Sequence, residues 1–195
     1  MKFLVLDTEL GGPSADEFSL LTICLKVFEG PTPKSATYVD KLNFILKHDI
    51  YRISAQGMSV NQLDIAQIDK EGITVKNAKP LLYNFLNSHS NQGKDRLQLV
   101  GQGVSGDAKA LTHVLISFEN WEKFVNRLYV DTLSLATALR SFGGLKEDQS
   151  LNLKNLCDYA KLGPFNYHDA EGDVDATWAL LVWLETQISL KGILS

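Results

Sequence analysis

The sequence is organised around the stretch FLVLDTEL, residues 3–10. Its first four residues are apolar, so the stretch is predicted to form a buried strand that reaches two carboxylates, Asp7 and Glu9. Because these residues are two positions apart, their side chains leave the same face of the strand. Neighbouring carboxylates in a mostly buried place repel each other and resist ionisation unless a cation lies between them. Taken alone, such a pair is more often a solvated strand end.

Two more strands are predicted directly after the first. Apolar residues alternate with other residues over 21–27, which is the period of a half-buried strand. A turn rich in proline and glycine follows at 29–33, and a less regular third strand lies within 35–46. The order of strands and turns indicates an antiparallel meander.

Beyond residue 78, strands and helices alternate. Short apolar strands at 97–100 and 128–130 are separated by helical patterns, which indicates parallel pairing in an α/β arrangement. The predicted helices cover 78–88, 107–116, 133–139, 151–162 and 176–188. We therefore predict one α/β domain over residues 1–195, with five strands in a mixed sheet.

Composition narrows the class of protein. With 195 residues, 45% hydrophobic and 22% charged, the chain fits a soluble globular protein, and it contains neither a secretory signal nor an apolar run long enough for a membrane span. Cys24 and Cys157 lack metal-binding spacing, so we expect buried free thiols and a cytoplasmic location. The net charge of −4 argues against a protein that neutralises many phosphates of a long duplex. This charge does not exclude a nucleic-acid enzyme, however, because the carboxylates of a metal site can offset basic residues around it in the total.

Acidic residues recur at two later positions amid apolar sequence. Asp107 follows the strand at 97–100 and a glycine-rich turn, where a simple helix cap is an alternative reading. His168 and Asp173 lie in the run YHDAEGDVDAT, residues 167–177, which could also be the solvated start of a helix.

The order and spacing of these motifs resemble the DEDDh family of 3′–5′ exonucleases. Residues 7–12 are similar to the family's first motif, 100–111 to its second, and the H-x-A-x-x-D of 168–173 to its third. Weaker similarities lie at 54–64, where Gln62 replaces a usual glycine, at 130–133 and at 151–156. The resemblance covers nearly the whole chain. It implies an RNase H-like fold, with a mixed five-stranded sheet flanked by helices.

The same resemblance implies a metal-dependent exonuclease with two Mg²⁺ (or Mn²⁺) ions in its site. Asp7 would bridge both ions, Glu9 and Asp173 would complete the ion on the side of the attacking water, and Asp107 would support the other. His168 would act as general base, since an imidazole can accept a proton near neutral pH. Carboxylate oxygens are the ligands that such hard cations prefer.

The implied substrate is the 3′ end of DNA or RNA, preferably single-stranded, from which nucleoside 5′-monophosphates are released. Thr8 and Leu10 would contact the terminal sugar, and Val60 and Asn61 the base. Nothing in the sequence separates DNA from RNA. Because few residues follow Asp173, we expect a free-standing enzyme without a polymerase-binding tail.

The second motif departs from the family. Gln102 and Gly103 stand where the family usually has His-Asn, and Gly106 stands where an aromatic residue usually precedes the aspartate. These changes are expected to weaken the contacts that hold Asp107.

Two non-catalytic alternatives remain at this point. One is a protein of the same fold that binds nucleic-acid ends without cleaving them. The other is an interaction module, in which the apolar last helix, with Trp178, Leu181 and Trp183, forms the face of a homodimer. The same helix could instead pack into the domain's own core.

Overall fold

A computed structural model describes residues 1–61 and 63–190, so Gln62 lies outside the described part of the chain. The first three strands form the predicted antiparallel meander: β1 (Lys2–Leu10), β2 (Leu20–Glu29) and β3 (Thr37–Lys47). In this register Asp7 lies opposite Cys24, and Cys24 lies opposite Asn43. Side chains of directly paired residues share a face, so these three side chains point to the same side of the sheet.

The remaining strands pair in parallel. On one side of the meander, β5 (Gln98–Gly101) joins β1 and β6 (Val130–Asp131) joins β5; on the other side, β4 (Ile73–Thr74) joins β3. The described sheet therefore has the order β4-β3-β2-β1-β5-β6. The mixed sheet is confirmed, but the predicted number of five strands is wrong. The strand that was not predicted is β4. It has only two residues, too few to show the alternation by which a strand is recognised in a sequence.

All five predicted helices are present, and three short ones were missed. Each missed helix (α1, α2 and α5) has seven residues, so little periodicity is available to reveal it. The side chains of Asp64 and Ser117 cap the N-termini of α2 and α5. The helices are α1 (Ala55–Asn61), α2 (Ile65–Glu71), α3 (Val75–His89), α4 (Ser105–Val114), α5 (Phe118–Phe124), α6 (Thr132–Ser141), α7 (Leu153–Ala160) and α8 (Ala170–Leu190).

The last helix, α8, is longer than its apolar pattern predicted. It begins at Ala170 rather than at 176, so Glu171 and Asp173 lie in its first turn. Acidic side chains are favourable there because the N-terminal end of a helix carries partial positive charge. The acidic run is thus the start of the helix itself.

Helices pack against both faces of the sheet, and the first five residues of β3 are exposed. One face packs Phe3, Val5 and Cys24 against Val174 and Leu181 of α8. The opposite face forms the largest apolar cluster, with α3, α4 and α5, and a third cluster joins α6 and α7 to α8. Both cysteines are buried and free, as predicted.

The apolar residues of α8 are used within this core. Leu180 and Leu184 are fully buried, and the ring of Trp178 stacks on that of Phe28 with 4.0 Å between centroids. The helix therefore packs into the domain and gives no support to a homodimer through this face. None of the helices in residues 1–61 and 63–190 has the length and apolar character of a membrane span.

Candidate metal centre

Three carboxylates meet where β1 faces the first turn of α8. Asp7 and Glu9 leave the face of β1 that α8 covers, and Asp173 approaches from the helix. One carboxylate oxygen from each residue lies within 4.8 Å of the others. Within the described ranges this is the one group of three or more metal-ligating side chains so arranged. We call Asp7, Glu9 and Asp173 the carboxylate centre.

The electrostatics of the carboxylate centre are unfavourable without a cation. Burial raises the pKa of Asp7 well above its ordinary value, and the negative charges of Asp107, Asp173 and Glu9 raise it further. Burial, with the charges of Asp173 and Asp107, raises the pKa of Glu9 to about 7. Burial also raises the pKa of Asp173. A divalent cation would remove this repulsion and favour the ionised forms.

The hydrogen bonding of Asp173 fits such a cation. Its Oδ2 accepts a hydrogen bond from the backbone N–H of His168 at 3.2 Å, whereas its Oδ1 is buried and has no hydrogen-bond partner. A buried carboxylate oxygen without a partner is costly. Because all three side chains offer hard oxygen atoms, the residues present suit Mg²⁺ or Mn²⁺.

Asp107 approaches the carboxylate centre from α4 and is held by Thr8. Its Oδ1 accepts hydrogen bonds from the backbone N–H of Thr8 at 3.1 Å and from the Thr8 hydroxyl at 2.6 Å. Burial raises the pKa of Asp107 to about 6, although the Thr8 bonds act in the opposite direction. Asp107 lies outside the group of three, but its charge raises the pKa values of Asp7 and Glu9. The fourth predicted carboxylate is therefore beside the other three.

The departures in the second motif have structural roles of their own. The side-chain amide of Gln102 donates to the carbonyl of Leu151 at 2.8 Å and accepts a hydrogen bond from the hydroxyl of Thr132. The N–H of Gly103 donates to Asp131 at 2.8 Å. These bonds join the end of β5 to the start of α6 and to the segment just before α7. Asp107 is held by Thr8, a contact that the sequence analysis did not foresee, while the expected weakening by these departures stays a prediction.

His168 lies in the turn just before α8, with an exposed side chain and a φ of 64°. Few residues other than glycine adopt this left-handed conformation. It lets the His168 N–H reach Asp173, a contact that the sequence did not predict. The structure thus places His168 at the rim of the carboxylate centre, where the function of its imidazole remains a prediction.

A cavity of about 290 Å³ adjoins Glu9. It is lined by all four residues predicted to contact substrate, namely Thr8, Leu10, Val60 and Asn61. The side-chain amide of Asn61 donates to the carbonyl of Leu10 at 2.8 Å and is buried, so it holds α1 against β1 rather than standing free. Val60, by contrast, is 46% exposed.

The wall of this cavity includes residues that the sequence analysis missed, among them Gln56 and Gly57 of α1. Glycine is required at 57 because a side chain there would lie 2.5 Å from the carbonyl oxygen of Gly11. The only hint in the sequence was the similarity of residues 54–64 to a substrate-side loop. The structure shows that most of this segment is a short helix.

Comparisons with known proteins give a match in structure alone. No family model matches the sequence, and no curated protein matches it. Solved structures do match the fold. The chain has the fold of part of exonuclease I. The E. coli enzyme, in a complex with a dT13 oligonucleotide, aligns with a TM-score of 0.78 and 15% sequence identity over 98% of this chain and 42% of that one.

Other exonuclease I structures agree. The zinc-bound complex of the E. coli enzyme with single-stranded DNA aligns with a TM-score of 0.72 and 16% identity, over 95% of this chain and 40% of that one. The enzyme from Methylocaldum szegediense aligns with a TM-score of 0.70 and 14% identity, over the same shares of the two chains. The chain spans about two fifths of the length of these proteins. The predicted RNase H-like α/β fold and the resemblance to 3′–5′ exonucleases are confirmed at the level of fold.

Proposed function

We propose that this chain is a 3′–5′ exonuclease domain, formed by residues 1–195, that hydrolyses single-stranded DNA or RNA from the 3′ end and releases nucleoside 5′-monophosphates. The observation that carries the proposal is the carboxylate centre: three buried or half-buried carboxylates converge, and one of their oxygens has no partner. The exonuclease I fold supports it, since those solved structures include complexes with oligonucleotides.

Asp7, Glu9 and Asp173 would hold the metal, and Asp107 would complete a second position. Two Mg²⁺ or Mn²⁺ ions bound there would activate water and stabilise negative charge on the phosphoryl and leaving oxygens. The protein supplies the placement of the four carboxylates. β1 fixes Asp7 and Glu9 on one face, Thr8 orients Asp107, and the turn before α8 directs Asp173 inward.

His168 is proposed as the general base. Its imidazole is exposed at the rim, and its backbone is anchored to Asp173 through the N–H. The imidazole would take a proton from the attacking water and return it to solvent.

The cavity beside Glu9 is proposed to hold the terminal nucleotide. The exposed Val60 is placed to contact a base, while Leu10 and Asn61 shape the wall. The cavity of about 290 Å³ is proposed to take one terminal nucleotide. The net charge of −4 also disfavours extensive phosphate binding. Frayed or single-stranded 3′ ends are therefore the preferred substrate.

Product analysis on labelled oligonucleotides tests this function. Single-stranded DNA and RNA labelled at the 5′ end are incubated with the protein and Mg²⁺ or Mn²⁺, beside a blunt duplex of the same sequence. We expect a ladder that shortens from the 3′ end, faster on single strands than on duplex, and no ladder in EDTA. Binding to 3′ ends without any shortening would instead favour an end-binding protein on the same fold. Equal rates on single strand and duplex would contradict the proposed substrate.

A further inference from the structure

The helix that carries Asp173 is attached to the sheet through a second charged cluster. Glu171, Asp175 and Trp178 are spaced i, i+4 and i+7 along α8, so they form one face of the helix. Trp178 stacks on Phe28 of β2, and the two carboxylates reach lysines of β2 and β3. Asp173 lies between Glu171 and Asp175 in sequence but leaves another side of the helix, toward β1.

Lys26 is the centre of this cluster. It lies in the middle of β2, and its side chain is only 8% exposed. Its Nζ is 2.7 Å from Asp175 Oδ1 and 3.0 Å from Glu171 Oε1. A buried ammonium group is costly unless it is paired, and both carboxylates pair with Lys26.

Two residues of the neighbouring strand β3 also donate to Glu171. Lys41 pairs directly with Lys26 across β2 and β3, an arrangement that like charges would disfavour without an acid between them. Glu171 fills that place: its Oε1 is 2.8 Å from Lys41 Nζ, and its Oε2 accepts a hydrogen bond from Asn43 at 3.1 Å. We call Lys26, Lys41, Asn43, Glu171 and Asp175 the lysine clamp.

The lysine clamp and the carboxylate centre share one turn of one helix. Glu171 and Asp175 are each two residues from Asp173, and about 3.6 residues make a turn. A rotation of α8 about its axis that stretched the bonds to Lys26 would therefore also move Asp173 relative to Asp7 and Glu9. The repulsion among the three carboxylates favours such a movement, and the clamp opposes it.

We propose that Lys26 is a positioning residue for the carboxylate centre, which sets the rotation of α8 and so the place of Asp173. This inference rests on the proposed function, because Asp173 is significant here as a metal ligand. Lys26 touches none of the reacting atoms; it acts through Glu171 and Asp175.

The test compares metal binding and turnover in Lys26→Met, which keeps the length of the side chain and removes its charge. We expect the Mn²⁺ dissociation constant to rise and kcat to fall by about tenfold, the lower end of the range for residues that orient metal ligands. KM for a single-stranded oligonucleotide should change by less than about twofold, because the cavity beside Glu9 is untouched. Mn²⁺ binding is measured by calorimetry on the full chain, at a temperature where circular dichroism shows it folded.

Lys47→Met is the matched control. Lys47 lies on β3 and pairs with Asp69 at 3.3 Å, with no bond to α8. It should leave Mn²⁺ affinity and kcat unchanged. Should Lys26→Met fail to fold, Glu171→Gln is the second variant, since it leaves Lys26 paired with Asp175; it too should weaken Mn²⁺ binding.

The outcomes separate this inference from the proposed function. If Asp7→Asn binds Mn²⁺ with the same affinity as the wild type, the carboxylate centre is not the metal site. If Asp7→Asn loses Mn²⁺ while folded Lys26→Met binds it like the wild type, the positioning role is wrong and the proposed function stands. If Lys26→Met lowers only the melting temperature, the clamp stabilises the fold and positions nothing.

Discussion

Two charged clusters lie between α8 and the sheet, and they are built on opposite principles. In the lysine clamp every carboxylate has a cationic partner, and hydrogen bonds from Lys41 and Lys26 lower the pKa of Glu171 to about 2. In the carboxylate centre no lysine or arginine of residues 1–61 and 63–190 forms an ion pair with the acids, and burial raises the pKa of Glu9 to about 7. The same helical turn supplies acids to both.

The difference shows which cluster the fold completes by itself. The clamp is satisfied by the chain's own lysines, so it can hold α8 before anything binds. The carboxylate centre is stable in ionised form only with a cation supplied from outside. Because the lysine clamp fixes α8, it holds Asp173 of that helix facing Asp7 and Glu9.

The largest expected effect is on Asp7, whose pKa is raised by burial and by four neighbouring carboxylates. Asp7→Asn keeps the shape and removes the charge, so nuclease activity should fall by more than about 100-fold, beyond what loss of an outer partner causes. Steady-state rates on a single-stranded oligonucleotide, with circular dichroism as a control for folding, provide the measurement. A variant that kept a substantial fraction of wild-type turnover would contradict the proposed metal centre.

The next effect concerns His168, whose backbone N–H donates a hydrogen bond to Asp173 of the carboxylate centre. His168→Asn removes the imidazole, keeps the N–H bond to Asp173, and suits the positive φ because asparagine tolerates that conformation. The rate should drop by about 10²- to 10⁴-fold, with Mn²⁺ affinity nearly unchanged. Equal losses in metal affinity and rate would mean that His168 supports the metal site and is not the proton acceptor.

A smaller effect is expected from Glu9 on the free energy of unfolding of the metal-free protein, measured in EDTA above pH 4.5. The pKa of Glu9 is raised from 4.5 to about 7, so between these values the folded protein binds more protons than the unfolded chain. Stability should therefore fall as pH rises through this window, by ~3 kcal/mol or less from Glu9. Melting curves at pH 5 and pH 8 would show the fall, and Mn²⁺ should reverse it at pH 8. Glu9→Gln should flatten the dependence; an unchanged slope would exclude Glu9 as its source.

The smallest effect is expected at acid pH and has the opposite sign. Because the pKa of Glu171 is lowered from 4.5 to about 2, its contribution is complete above pH 4.5 and is lost as pH falls toward 2. Glu171→Gln should lower the melting temperature at pH 6 and reduce the difference between pH 6 and pH 3. Lys47→Met serves as the control with an exposed ion pair. A Glu171→Gln protein whose acid sensitivity matched the wild type would show that the clamp is not ionised as described.

Much of the fold could be predicted because its strongest patterns are local. The alternation in β2 and the apolar run of β1 predicted the meander, and the helical patterns after residue 78 predicted the α/β half. Four short elements were missed, namely β4, α1, α2 and α5, because each has too few residues to show a clear periodicity. The hydrogen bonds of Gln102 and Gly103 were not foreseen, since their partners lie 28 or more residues away.

The sequence by itself determined which side chains could bind a metal and on which face of β1 two of them lie, because alternation along a strand is a local property. Only the tertiary structure decided that Asp173 meets Asp7, that Thr8 holds Asp107 across 99 positions, and that Lys26 pairs with Asp175 across 149. Those contacts depend on how each helix is docked and rotated on the sheet. Docking is decided jointly by the buried apolar surface and by charge pairing across the whole domain, and no local stretch of sequence carries that information.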